Sequence, residues 1–460
     1  MFYGRNSEIA ALNKMYSEDK FHCVIIYGRR RVGKTYMITH FLQDKPNVYF
    51  AAEEYNHKIL LDKFSTQILS KFPSQYINGF DSFEKAILYL SEHSKSQRLI
   101  LVIDEFQYWA YQNKGIISTL QNLIDHYLKD TKMFLILCGS YISFMENEIL
   151  GYKSPLYGRR TAQFKIEPFN FFDAALFFPQ YSPEEKFLAY SVLGGIPQYL
   201  RCFSQEKTIK ENIIDMILNK NAFLHEEPYF LLKQELKEPA IYFSLIEAIA
   251  KGASKYNDIS TKIGLDCGFY LNSLIELQIL QKEIPVGEKK NSRKSIYKIK
   301  DNLFKFWFRF LSDAKPLIEQ ELYNEVYDNM IEPFLSQYAG SIFEEVCIQY
   351  LKKQNGKKIL PFTFFEIGRW WGTNKIKKFE EEIDILAIDN KSNALIGECK
   401  WRNEKVDIGS VRNLIEKGSL LPYENKYYVL FSKSGFTDAV TAFVKNHPEM
   451  LCFELNQILA

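Results

Sequence analysis

Several things are missing from this chain of 460 residues, and each absence removes a class of protein. No uninterrupted apolar run approaches about 18 residues, so no transmembrane helix is expected. There is no C-x-x-C pair. The seven cysteines (Cys23, Cys138, Cys202, Cys267, Cys347, Cys399 and Cys452) are scattered and odd in number. That argues against a disulfide framework or a thiolate zinc site and for reduced core thiols in a cytoplasmic protein. Low-complexity tracts and solenoid-length repeats are absent. The opening, MFYGRNSE, lacks the charged-then-apolar order of a signal peptide, so none is expected. Net charge is small, +2, so any attraction to nucleic acid must come from a local basic surface. Composition is otherwise that of a globular protein, 47% hydrophobic and 25% charged, with 37 Phe and 29 Tyr to fill its cores. The length predicts roughly two to four domains.

What is present begins with CVIIYGRRRVGKT, Cys23 to Thr35. A short apolar run precedes a loop bounded by Gly28 and Gly33, and a helical pattern follows Lys34 and Thr35. This is G-x-x-x-x-G-K-T between a strand and a helix, the setting a phosphate-binding loop needs. Glycines let backbone N–H groups curve around phosphates, and the helix N-terminus favours anions. The candidate ATP contacts are therefore Gly28, Arg29, Arg30, Arg31, Val32, Gly33, Lys34, Thr35 and Tyr36. Lys34 supplies a point charge to the β- and γ-phosphates, and the Thr35 hydroxyl is a ligand for Mg²⁺. Leu99 to Ile103 is a continuous apolar run that ends in Asp104-Glu105, as a strand buried on both faces would. Asp104 is the expected Mg²⁺-holding carboxylate and Glu105 the expected general base. Met133 to Cys138 is a further buried strand, ending in Gly139-Ser140. Ser140 either senses the γ-phosphate and attacking water or is a plain polar strand end. Arg159 and Arg160 are either γ-phosphate fingers, in cis or from a neighbouring subunit of a homo-oligomer, or a surface pair in ion bridges. Gly194-Gly195-Ile196-Pro197 interrupts a helical stretch and reads as a hinge touching nucleotide.

Beyond residue 205 the pattern is helical. From Ile241 it becomes helix, turn, helix, turn, helix and then a β-ribbon, the order of a winged helix. Residues 281–300 carry seven Lys or Arg against two Glu. Lys289, Lys290, Arg293 and Lys294 fall on a polar tip, which suits phosphate contact by the wing. The rival reading is a solvated hairpin tip. Asp301 to Tyr338 reads as a helical connector broken at Pro316 and Pro333. Beyond Gly340 comes a helix with Phe343, Val346, Cys347, Tyr350 and Leu351 on one face and Glu344 beside them. Residues 382–388 and 394–400 then read as a hairpin. The period of two puts Glu398 and Lys400 on one face, and Asp384 comes opposite Glu398 if the register pairs them. Two carboxylates and a lysine of this kind are a pattern for Mg²⁺-dependent phosphodiester cleavage. Asp384 and Glu398 would hold the ion, and Lys400 would position the water and stabilise the transition state. The rival reading is a salt-bridged strand pair without activity. Trp370, Trp371 and Trp401 read as core, not as base-stacking platforms.

The segments FYGR (2–5), YGRRRVGKT (27–35), IDEFQ (103–107), LCGS (137–140), SPLYGRR (154–160), GGIPQYL (194–200), EIGRWWG (366–372) and GECKW (397–401) resemble a large archaeal and bacterial ATPase family of the AAA+/STAND superclass. Its members end in a nuclease-like domain of the PD-(D/E)xK kind. The resemblance implies a multidomain α/β chain. It would have a P-loop AAA+-like parallel-sheet ATPase core over 1–204 and a helical and winged-helix middle over 205–300. A connector over 301–338 and a restriction-endonuclease-like domain over 339–460 would follow. It also implies that Arg5 lies against the nucleotide base, that Pro197 belongs to a sensor-like motif, and that Glu344 completes a metal shell. Tyr141 departs from the family pattern, where a second Ser is common. The implied activity is ATP hydrolysis controlling DNA binding and Mg²⁺-dependent cleavage. The alternative is an ATP-switched DNA-binding protein, or a STAND-like signalling or scaffold protein, with a catalytically inactive nuclease fold.

Overall fold

The computed structural model describes residues 2–289, 292–374 and 378–459, and the chain divides into two compact units. Lys290 of the expected wing tip lies outside the described residues. Among the described residues no helix is long and apolar enough to cross a membrane.

Unit 1 comprises 1–169 and 196–198. Its centre is a five-stranded sheet built from β1 (His22–Tyr27), β2 (Asn47–Ala51), β3 (Leu99–Asp104), β4 (Met133–Gly139) and β5 (Ala162–Lys165), in the order β2-β3-β4-β1-β5. Every pairing is parallel. All six residues of β1, all six of β3 and all seven of β4 are buried, which is why those segments read as unbroken apolar runs. Because the strands run the same way, the loop after β1, the acids ending β3 and Gly139-Ser140 after β4 reach one edge of the sheet. β4 lies between β1 and β3, and the connections leaving β1 and β4 run to opposite sides of the sheet. Ligands of open α/β sheets bind at such a switch point. Trp109 packs edge to face against Phe64 and Phe83, which stack on each other, all with ring centroids within 6 Å.

Unit 2 comprises 170–195 and 199–460. Its middle has helices Pro239–Ala250, Tyr256–Ile263 and Gly268–Glu276, followed by an antiparallel ribbon of β6 (Leu280–Glu283) and β7 (Ile296–Ile299). Pro316 and Pro333 stand in the first turns of helices Lys315–Glu319 and Glu332–Gln354. Neither position needs an intrahelical N–H, so each proline begins a helix. The second helix is unbroken across residues 338 and 339. It packs on a mixed sheet of β8 (Glu366–Thr373), β9 (Glu380–Ile388), β10 (Asn393–Lys400), β11 (Asn425–Ser432) and β12 (Met450–Glu454), in the order β12-β11-β10-β9-β8. β10, β11 and β12 are parallel, while β8-β9 and β9-β10 are antiparallel. Trp401 is buried, 4.1 Å from the Phe187 ring and 5.2 Å from that of Phe343.

The ribbon is not wholly a solvated tip. The Val286 N–H donates to Arg369 O (3.0 Å), and the Gly287 N–H donates to Glu366 Oε1 (3.2 Å). Val286 is buried in the core of the C-terminal sheet. The apolar run Ile284-Pro285-Val286 thus clips onto the edge strand β8, covering an edge that would otherwise offer unpaired backbone.

Candidate functional site

In unit 1 the loop after β1 has the backbone its glycines demand. Gly28 has φ +154°, and a Cβ there would lie 2.2 Å from Ile166 O, a backbone atom that cannot yield. Gly33 has φ +89° and caps the helix Lys34–Leu42. The position of a Cβ on Gly33 would be 3.6 Å from Pro197 Cγ, which places the proline against the loop. Lys34 is buried, and its ammonium donates to Gly28 O (2.8 Å) and Arg29 O (3.1 Å), spanning the loop. Arg5 donates to the carbonyls of Val32 and Glu167 and lies over the Phe169 ring at 4.4 Å. It therefore braces the loop itself. Arg29 is buried, and Arg31 is left-handed at φ 70°. Arg30 reaches across to the hydroxyls of Tyr108 (2.7 Å) and Tyr141 (3.4 Å). Tyr141, the departure from the family pattern, thus holds a loop arginine. Tyr36 is exposed, with its ring 5.7 Å from that of Phe2.

The acids of β3 complete the edge. Thr35 Oγ1 donates to Asp104 Oδ2 (2.9 Å), and Tyr49 OH donates to the same oxygen. Asp104 Oδ1 accepts the Glu105 N–H at 2.9 Å. Burial and the Asp104 charge push the Tyr49 phenol well above its usual range, so it stays a donor. Glu105 is left-handed at φ 51°, a turn that takes its side chain away from the strand. Its Oε2 accepts from Ser140 Oγ (2.7 Å), the Ser140 N–H (3.2 Å) and Gln107 Nε2. For Ser140, the contact observed is with the Glu105 carboxylate. Arg159 forms a two-pronged pair with Asp125 (2.8 and 2.7 Å), the ion-bridge alternative for that residue. Arg160 lies over the Tyr157 ring at 5.8 Å.

An oxygen-only set of hydroxyl and carboxylate, Thr35 with Asp104, suits a hard divalent cation such as Mg²⁺. Tyr49→Phe should loosen Asp104 and raise the Mg²⁺ concentration needed for half-maximal ATP hydrolysis by about 2- to 10-fold, the effect of one hydrogen bond. A Mg²⁺ titration at saturating ATP reads this, and an unchanged midpoint would leave Tyr49 with packing alone.

In unit 2 the β9–β10 register (Gly397↔Ile385) brings Asp384 opposite Glu398, and Asp384 Oδ2 accepts the Cys399 N–H at 2.8 Å. Glu398 is buried and pairs with Lys400 (2.6 Å) and with Lys417 (3.0 Å) from the helix Ile408–Ser419. Burial pushes the Glu398 carboxyl up, but the two lysines outweigh it and hold the pKa below the ordinary value. Burial and the Glu398 charge raise Asp384. Burial and the Asp384 charge push Glu344 up to about 7. The β8 ladder shifts register between Gly368 and Trp370, and the bulge re-aims Arg369 toward Glu344 (3.3 Å), Glu283 (3.3 Å) and Glu382.

The acids expected to form a metal shell are Glu344, Asp384 and Glu398. Among the described residues no three His, Cys, Asp or Glu side chains are gathered to hold an ion. The acids are committed elsewhere, Glu344 to Arg369, Glu398 to two lysines, and one Asp384 oxygen to backbone. Sequence reasoning gave no role to Tyr49, Gln107, Arg369 or Lys417. Only Lys417, three residues after the buried Leu414 on its helix, carried a hint of facing inward.

A family model for an ATPase domain predominantly from Archaea matches residues 2–203, and one for archaeal and bacterial proteins of unknown function matches 307–411. An uncharacterized protein of Methanocaldococcus jannaschii is 34% identical over 442 residues, covering 94% of this chain and 96% of its own. An uncharacterized ATP-binding protein of the same organism is 47% identical over 45 residues, 10% of this chain and 76% of its own. Among solved structures, the Walker-type ATPase of Pyrococcus abyssi matches at 20% identity and TM-score 0.49, covering 67% of this chain and 96% of its own. With a P-loop ATPase core in its first half and near-complete alignment to the longer M. jannaschii relative, the chain belongs to that relative's family, in which an ATPase domain of a predominantly archaeal type precedes a domain of unknown function.

Proposed function

We propose that this protein is a Mg²⁺-dependent ATPase whose nucleotide state controls how its second unit binds DNA. The observation that carries the ATPase half is the shared edge of the unit 1 sheet, where Lys34, the Thr35–Asp104 pair and Glu105 meet. The loop N–H groups and Lys34 receive the phosphates. Thr35 and Asp104 would hold Mg²⁺, which supplies neutralising charge to the phosphates when bound. Glu105 accepts a proton from the attacking water, and Ser140 and Gln107 hold its carboxylate. Arg160, with no carboxylate partner among the described residues, is the better γ-phosphate finger of the arginine pair.

For unit 2 the reading rests on the winged-helix order and the basic ribbon. Lys294 is paired with Glu288 (2.5 Å) and Lys298 with Glu283 (2.8 Å). Lys282, Lys289 and Arg293 are exposed and have no carboxylate partner among the described residues. The cations on Glu344 and Glu398 favour the second of the two nuclease readings, a nuclease-like fold that binds without cutting.

Three phosphate contacts predict a slope of roughly −2.7 for log K against log salt, at about −0.9 per contact. Anisotropy of labelled DNA at graded salt would measure this, with wild type and Lys34→Ala compared in ATP and ADP. A flat salt response would remove the wing from the account. Identical curves in ATP and ADP for wild type would remove the coupling. Mg²⁺- or Mn²⁺-dependent cleavage that Lys400→Ala abolishes would restore the nuclease reading.

A further inference from the structure

Unit 2 holds a cavity of about 410 Å³ that the readings above leave without a role. It lies where the helices Pro239–Ala250, Asn302–Phe310 and Glu332–Gln354 meet β7 and β8. Its size is that of a pocket for a small organic ligand, roughly 300–1,000 Å³. Four cations line it, Lys298, Lys305, Arg309 and Arg369, against two carboxylates, Glu344 and Glu345. Lys298 and Arg369 are balanced by Glu283. Lys305 and Arg309 are different, because neither has a carboxylate within ion-pair distance among the described residues. The Lys305 ammonium donates to Ser341 Oγ at 2.8 Å and lies 5.8 Å from the Tyr338 ring. Burial holds its pKa below the ordinary lysine value. A desolvated ammonium held by a single hydroxyl has two donors to spare, and an arriving anion would recover the lost solvation. Ile249, Ile299, Phe334 and Tyr338 give the wall apolar and aromatic surface, and Ser254, Gln337 and Ser341 also line it. Phe334 is half-exposed and offers a flat face at the rim.

We propose that this cavity is a second ligand site, separate from the P-loop, that takes a phosphomonoester carried on a flat aromatic body, as in a nucleoside monophosphate. Lys305 and Arg309 receive the phosphate, and the Ile249–Phe334 side receives the ring. The same chemistry is offered by free nucleotide and by the 5′-phosphorylated end of a strand. The inference does not depend on ATP hydrolysis, and its test is arranged accordingly.

Isothermal titration of the full chain carrying Lys34→Ala, which removes the P-loop ammonium, would use AMP, inorganic phosphate, adenosine and a 5′-phosphorylated tetranucleotide. AMP is expected to bind at one site per chain, inorganic phosphate more weakly, and adenosine not measurably. Adding Lys305→Met should weaken AMP by roughly 10- to 100-fold, the effect of losing a charge-assisted hydrogen bond. Arg309→Ala, at an exposed position that leaves the fold undisturbed, should weaken it by about 5-fold or more. Tighter binding of the tetranucleotide than of AMP would assign the site to strand ends, and the reverse to free nucleotide. The proposal is overturned if AMP does not bind the Lys34→Ala chain, if adenosine binds as well as AMP, or if Arg309→Ala leaves the affinity unmoved.

Discussion

Glu105→Gln is expected to lower kcat for ATP hydrolysis by roughly 10²- to 10⁴-fold, the usual contribution of a positioned general base, while leaving ATP affinity intact. The amide keeps the shape of the side chain but cannot take the proton. It also meets Gln107 Nε2 with either an oxygen or an NH₂ group, so the hydrogen bonds at Ser140 and Gln107 survive in part. Binding and chemistry therefore separate, and Lys34→Ala is the contrasting variant because it removes a phosphate contact. Steady-state phosphate release together with nucleotide titration distinguishes the two. If Glu105→Gln retained wild-type kcat, the proton would be leaving by another route. Ser140→Ala should give a smaller loss of kcat than Glu105→Gln, because Ser140 only holds the carboxylate.

The second large effect concerns stability. Glu398→Ala leaves Lys400 and Lys417 without their carboxylate, and breaking a buried pair from one side costs about 3–5 kcal/mol. Chemical denaturation monitored through tryptophan fluorescence should show the transition of unit 2 moving to lower denaturant, while ATP hydrolysis in unit 1 persists. The sign with pH follows from the depressed pKa of Glu398. Its contribution is complete above the ordinary glutamate pKa and disappears as pH falls through the lower folded-state value. The gap between wild type and Glu398→Ala should therefore close in acid. A gap that widened in acid would contradict the pairing. One practical result is that Lys400→Ala, at a less buried position, is the cleaner variant for any cleavage assay.

The P-loop and the acids after β3 were legible because their chemistry is local. Gly28, Gly33, Lys34 and Thr35 lie within one loop and the start of the helix after it, and Asp104-Glu105 simply end an apolar run. The parallel sheet was legible for the same reason, since strands buried on both faces cannot hide their composition. Tyr49 was not legible, because its partner is set by the pairing of β2 with β3 (Tyr49↔Val102) and not by anything beside it in sequence. Arg369 needed a bulge to aim it, and nothing in EIGRWWG marks an inserted residue. Around the expected metal shell, the pattern of Asp384, Glu398 and Lys400 specifies which groups converge but not which cations arrive with them. Lys417 and Arg369 come from elsewhere in the chain and change what the carboxylates are bonded to.

The clip between the ribbon and β8 also has a history in time. Gly287 and Glu366 are 79 positions apart in the chain. At a synthesis rate of about 5–20 residues per second, Ile284-Pro285-Val286 emerges from the ribosome roughly 4 to 16 s before its cover exists. For that interval an apolar segment waits beside a row of lysines, and those charges are what keep it from the neighbouring nascent chains.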